Sequence, residues 1–155
     1  MKRLRGGVAL LLLLILPLMV AGCGSPPDID ADEIVGFYVG DDYDVLDDPT
    51  LPEPDRSLDR LLTAYNTADS AGWEGDTTPS LFAHFRLRSG DRVTVWLSSQ
   101  YPEECATVLL WDAATQEQAE YEIEAPDLLP AVWELLTPEQ RLHMKQAEQR
   151  LWLPD

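Results

Sequence analysis

Four side chains in this 155-residue sequence have the chemistry of a nucleophile, a general base or a soft metal ligand: Cys23, His84, Cys105 and His143. A hydrolytic or redox centre needs a thiolate within reach of an imidazole, and Cys105 with His84 is the one dyad a fold can assemble from them. Neither histidine has a His or Cys neighbour at ligand spacing, and the chain contains no GxSxG, HExxH or phosphate-binding glycine loop. Acidic side chains offer a second chemistry. Asp28, Asp30 and Asp32 alternate as in a calcium loop, but Glu33 and Val39 stand where an EF-hand needs Gly and Glu, so they read as linker charge. Asp41, Asp42, Asp44, Asp47 and Asp48 run into prolines at 49, 52 and 54, which reads as a solvated loop, with loose calcium binding as the alternative. The third set is aromatic and basic. Phe82, His84, Arg86, Arg88, Arg92 and Trp96 form a candidate interaction face, because Trp and Arg dominate binding hot spots.

Where the chain works is written at its start. Lys2, Arg3 and Arg5 precede an apolar run from Val8 to Val20, broken only by Pro17, and small residues follow at Ala21 and Gly22. That is the layout of a secretory signal. The run holds 13 residues, short of the roughly 20 that a spanning helix requires. Val20-Ala21-Gly22-Cys23 resembles the lipobox of bacterial lipoproteins. The resemblance covers the targeting segment and implies a diacylglyceryl group on the Cys23 thiol, cleavage before Cys23 and acylation of the new amine. It implies a lipid-anchored protein on the extracytoplasmic side of the cell membrane, facing the periplasm in a two-membrane host. Each buried CH₂ contributes about 0.8 kcal/mol, so two or three acyl chains hold a protein where one does not. An ordinary secretory signal ending near a cysteine is the plainer alternative.

Removal of residues 1–22 leaves 133 residues, a length suited to one domain around a single core. Lys2, Arg3 and Arg5 leave with the signal, so 8 basic side chains face 28 acidic ones and the formal charge is −20. Such a charge opposes binding to nucleic acid and flat contact with an anionic leaflet. With Cys23 given to lipid, Cys105 has no cysteine left to bridge with, and the apolar sequence after it predicts a buried, inert thiol.

The elements that must position these residues follow from periodicity. Residues 23–33 are polar and Pro-containing, a lipidated tether. Ile34–Gly40 predicts a strand, with Val35, Phe37 and Val39 on one side and Ile34, Gly36 and Tyr38 on the other. Leu58, Leu61, Leu62 and Tyr65 fall at helical spacing and predict a helix over about 56–68. Residues 69–80 read as a loop with Trp73 folded back. Leu81, Ala83, Phe85 and Leu87 alternate with Phe82, His84, Arg86 and Arg88, and Val93, Val95 and Leu97 with Arg92, Thr94 and Trp96. A three-residue loop Ser89-Gly90-Asp91 would set Arg88 against Arg92 and Phe85 beside Val95. Residues 106–111 and 119–124 predict a second hairpin. A helix over 127–136, capped by Asp127, is followed by Thr137-Pro138-Glu139-Gln140, a capping box with Pro at the first helical position that starts a helix running to about Leu151.

The fold class is therefore α+β: one largely antiparallel five-stranded sheet with helices packed on one face, a signal helix before it and a C-terminal helix from about 138. Residues 34–155 form the single domain. Leu136 to Gln140 also resembles the LTxxQ motif of small periplasmic chaperones of the Spy type, which are all-helical and carry it twice; here one copy follows five strands and reads as a helix start. The order of elements is similar to small bacterial lipoproteins of unknown function, a resemblance that implies no activity. The expected function is a non-catalytic binding or interaction module with no cofactor, whose partners are the membrane through Cys23 and an envelope protein or peptide. The alternative is a Cys105-dependent hydrolase or redox protein. The basic face has two accounts: a partner surface, or a ladder of Arg86, Arg88 and Arg92 against Glu120, Glu122 and Glu124.

Overall fold

The computed structural model describes residues 24–48, 50–71, 81–97 and 105–147. Cys23, Trp73, the signal segment and the end of the last helix lie outside the described residues. The elements are β1 (Ile34–Gly40), α1 (Asp59–Asn66), β2 (Asp69–Ser70), β3 (Leu81–Leu87), β4 (Arg92–Leu97), β5 (Cys105–Asp112), β6 (Glu117–Glu124), α2 (Leu128–Leu135) and α3 (Pro138–Ala147). The strands form one antiparallel sheet in the order β1-β3-β4-β5-β6-β2. It has six strands rather than five, because Asp69 and Ser70, expected in a loop, pair with Glu124 and Ile123 at the far edge.

One face of the sheet carries the core. Ala83, Phe85, Val93, Val95, Leu97, Val108 and Ile123 bury against Leu58, just before α1, Leu61, Leu62 and Tyr65 of α1 and Leu128, Ala131 and Val132 of α2. The alternation in the sequence predicts these faces, and one strand departs from it. A register shift between Ile34 and Gly36 places a bulge at Val35, which turns Ile34 to the core side with Phe37 and Val39 instead of opposite them.

The first hairpin has a three-residue loop, but one residue earlier than expected. The Leu87 amide donates to the Asp91 carbonyl, so the loop is Arg88-Ser89-Gly90, and Phe85 lies against Val93 and Arg86 against Arg92. Gly90 decides this, because the last position of such a loop takes a left-handed backbone and Gly90 has φ +96°. The shift is two residues in pairing, so each side chain keeps its face.

Both ends of α2 depart from a simple helix. Asp127 does not cap it with its side chain. At the other end, Arg141 donates to the Glu134 carbonyl and Arg56 to the Leu135 carbonyl, at 2.9 and 2.8 Å, satisfying acceptors that a helix end leaves without partners. The capping box forms as predicted: Gln140 N donates to Thr137 Oγ1, and Thr137 N to Gln140 Oε1. Gln140 Nε2 also donates to the Val39 carbonyl at 3.0 Å, tying α3 to β1.

The tether is shorter than expected. Ile29 is buried, and the Asn66 side chain on α1 accepts from its amide and donates to its carbonyl, while Tyr65 Oη donates to the Pro27 carbonyl. An extended segment is thus clamped onto the helix as a strand would be.

Candidate functional site

The opposite face of the sheet was expected to be open, and half of it is covered. Residues 41–48 and 50–54, after β1, lie across β1, β3 and β4 as a strap. Tyr43–Asp47 forms a 3-10 turn, and the Asp44 amide in its first turn donates to the Asp42 carboxylate. The Tyr43 ring packs on Phe82 at 5.1 Å, beside Tyr38 at 5.7 Å from the same ring. Leu51 crosses β1 so closely that a Cβ on Gly36 would lie 3.0 Å from Leu51 Cβ and 3.1 Å from its carbonyl oxygen. Only glycine lets the strap lie this near the strand. Among the described residues no group of three His, Cys, Asp or Glu side chains is placed to hold a metal ion; in the strap, Asp42 and Asp48 turn their carboxylates to backbone amides at Asp44 and Thr50.

The strap changes what the candidate interaction face can be. Phe82 is fully buried and His84 is 2% exposed, so neither offers contact area to a partner. Arg88 lies outside the cluster, where its guanidinium donates to the Asp32 carbonyl. The charge ladder does not form either, because β4 and β5 stand between β3 and β6 and put Thr94 and Leu109 in the row that joins His84 to Glu120. Strand order, which local alternation does not encode, decides this. Arg86 and Arg92 instead face each other across β3 and β4, an arrangement that repels unless acids intervene. Asp47 answers Arg92 at 2.7 Å. Asp48 lies near Arg86: two hydrogen bonds from Thr50 hold its carboxyl below the usual range, and Arg86 adds to them.

His84 sits beneath the strap with Nδ1 2.8 Å from Thr94 Oγ1. Burial first, then Arg92 and Arg86, push its imidazole down to about 4, with Asp47 acting in the other direction. It is a neutral hydrogen-bonded group at physiological pH. Cys105 begins β5 half-buried rather than enclosed. His84 is in line with Leu109, two strands across and four residues along from Cys105, which places the two about 16 Å apart by strand geometry. The structure does not bring this dyad together. On the same face, Thr107 donates to the Glu122 carboxylate at 2.9 Å, and burial raises that carboxyl despite the hydrogen bond, with Glu120 adding to the rise.

Where the strap ends, the face opens into a hollow of about 290 Å³. Thr94 and Leu109 lie at the centre of its row pattern, Arg92, Trp111 and Gln118 along one side, Trp96 on the other, and Leu46, Asp47 and His84 at the strap end. The Arg92 guanidinium stacks over Trp111 at 5.2 Å and uses Nη1 for the Leu46 carbonyl and the Asp47 carboxylate. Asp47 is 92% exposed, and an ion pair of that kind contributes under about 1 kcal/mol. Trp96 Nε1 is shielded from solvent with no acceptor. Of the expected face, then, His84, Arg92 and Trp96 line a hollow, and Thr94, Leu109, Trp111 and Gln118 complete its sheet walls. Alternation puts Leu109 and Trp111 on one side of their strand, but nothing local says that this side meets Arg92.

No family model matches the chain, and neither a curated protein nor a solved structure is similar to it.

Proposed function

We propose that the protein is a non-catalytic binding module, held at the extracytoplasmic face of the membrane by acyl chains on Cys23, and that the hollow beside the strap is its ligand site. One observation carries the second part: on the half of the face that the strap leaves open, an arginine fixed on a tryptophan and a second tryptophan line one hollow. Aromatic walls with a few fixed polar groups are the composition of a ligand site. The anchor rests on the charged start, the short apolar run and the Val20-Ala21-Gly22-Cys23 sequence. With Pro26 and Ile29 packed on the domain, only a few residues separate Cys23 from the folded body, which holds the module close to the bilayer. The Cys105 alternative loses His84 as its base, since strand geometry sets the two about 16 Å apart; rapid modification of Cys105 in the folded protein by a charged alkylating reagent would revive it.

Two measurements test the proposal. Cys23→Ser should abolish metabolic labelling by a fatty acid and leave the precursor uncleaved, and normal labelling of that variant would remove the anchor. A pull-down from membranes with the intact acylated protein should recover a partner that Trp111→Ala loses. Equal recovery by both would move the site away from the hollow.

A further inference from the structure

We infer that the hollow takes the free C-terminal end of a peptide, its carboxylate on Arg92 in place of Asp47 and a backbone carbonyl on Trp96 Nε1–H. This rests on the binding-module reading and names the ligand class of that site. Three observations converge on it.

Arg92 is held in place by Trp111 but spends only Nη1 on its present partners, the Leu46 carbonyl and the Asp47 carboxylate. A planar guanidinium recognises a carboxylate best through two parallel N–H groups. The remaining edge suits an incoming carboxylate, and Asp47, almost wholly exposed, is the group it would displace. The strap thus supplies one carboxylate to Arg92 from within the chain, which shows the charge that the site accommodates.

Trp96 supplies the second point of contact. Its Nε1–H is shielded without an acceptor in the free protein, an arrangement that costs stability, and a turn of the indole toward the hollow it lines would offer this donor to a ligand. Arg92 and Trp96 point to one face of β4 four residues apart, about 13 Å between their Cα atoms. Two long side chains reaching inward over that span can hold the carboxylate and a preceding carbonyl of an extended peptide. Between them, Leu109 and Trp111 give apolar area for the last side chain. The large negative charge of the chain disfavours extended acidic peptides, so the ligand presents one terminal carboxylate and an otherwise neutral end.

The probe is N-acetyl-Ala-Ala-Leu as the free acid, titrated calorimetrically into the delipidated full-length mature protein and compared with its C-terminal amide. The acid should bind saturably, and the amide about tenfold or more weaker, since it loses the charge-assisted pair. Asp47→Asn should tighten binding of the acid about threefold or more by removing the internal competitor, whereas Asp44→Asn, with the same charge change on the strap away from Arg92, should not. Trp96→Phe keeps an aromatic side chain but removes the N–H, and should weaken binding about fivefold. Arg92→Met should abolish it. Equal binding of acid and amide, an Asp47→Asn affinity that stays the same or falls, or no saturable binding of the acid would each overturn the inference. In that event, a membrane partner that still depends on Trp111 would leave the binding module standing, and a pull-down without one would remove both.

Discussion

Replacing His84 by asparagine tests the strap-covered face through its proton chemistry. Asparagine keeps a polar atom near Thr94 Oγ1, the present partner of Nδ1 at 2.8 Å, and cannot take up a proton in the accessible range. An ordinary imidazole titrates near 6.5, and burial with Arg92 and Arg86 lowers His84 to about 4 in the folded protein. Above pH 6.5 both folded and unfolded chains carry a neutral imidazole and the group adds no pH dependence. As pH falls from 6.5 towards 4, the unfolded chain binds a proton that the folded chain refuses, so stability drops. Below 4 the folded state takes the proton too and the loss levels off. Integrating between those two values gives a loss of about 2 kcal/mol at pH 5 and about 3 kcal/mol at pH 4. Urea midpoints at pH 7, 6 and 5 for the two proteins isolate it, since carboxylates common to both cancel in the difference. His84→Asn should be less stable at pH 7 from the altered packing, yet its curve should be flatter, converging on the native protein by about 2 kcal/mol between pH 7 and 5. Parallel curves, with a difference changing by less than about 0.5 kcal/mol, would mean that water reaches His84 and that the strap does not seal this face.

Three other perturbations examine the rest of the frame. Val95→Ala removes two methyl groups from a fully buried position and should cost about 1 to 3 kcal/mol in denaturant midpoint measurements; a cost below about 0.5 kcal/mol would place Val95 outside the core. Gly36→Ala drives a Cβ to 3.0 Å from Leu51, so it should loosen the strap, seen as faster limited proteolysis within residues 41–54 and a loss of about 1 to 3 kcal/mol; unchanged proteolysis would show that the strap yields without detaching. Thr137→Ala removes one half of the reciprocal cap and should lower stability by about 0.5 to 2 kcal/mol, with no effect expected if α3 started elsewhere.

Local chemistry made much of this fold legible in the sequence. Alternation over 81–97 gives the two faces of a hairpin whatever its register, so Phe85, Val93 and Val95 belong to the core even though the loop sits one residue earlier than its composition first indicates. Leu58, Leu61, Leu62 and Tyr65 lie on one helical stripe and all bury. Thr137 and Gln140 specify their own cap because both partners lie within one turn. The signal segment and Cys23 are likewise read from adjacent residues, and their account remains a sequence reading tested by labelling.

What the tertiary structure decided is which surfaces meet. Period-two patterning says that a strand has two sides and is silent on what covers the second. Residues 41–54 have no periodicity to announce themselves as a layer, since their acids and prolines are the composition of a solvated loop. Their place is set by pairings with distant residues: Tyr43 with Phe82, Asp47 with Arg92, Leu51 over Gly36. The same holds for the sheet order, which separates Arg86 from Glu120 and sets Arg92 beside Trp111. The hollow belongs wholly to this second class. Its walls come from β3, β4, β5, β6 and the strap, and only the non-local registers, which no single segment specifies, bring them to one place.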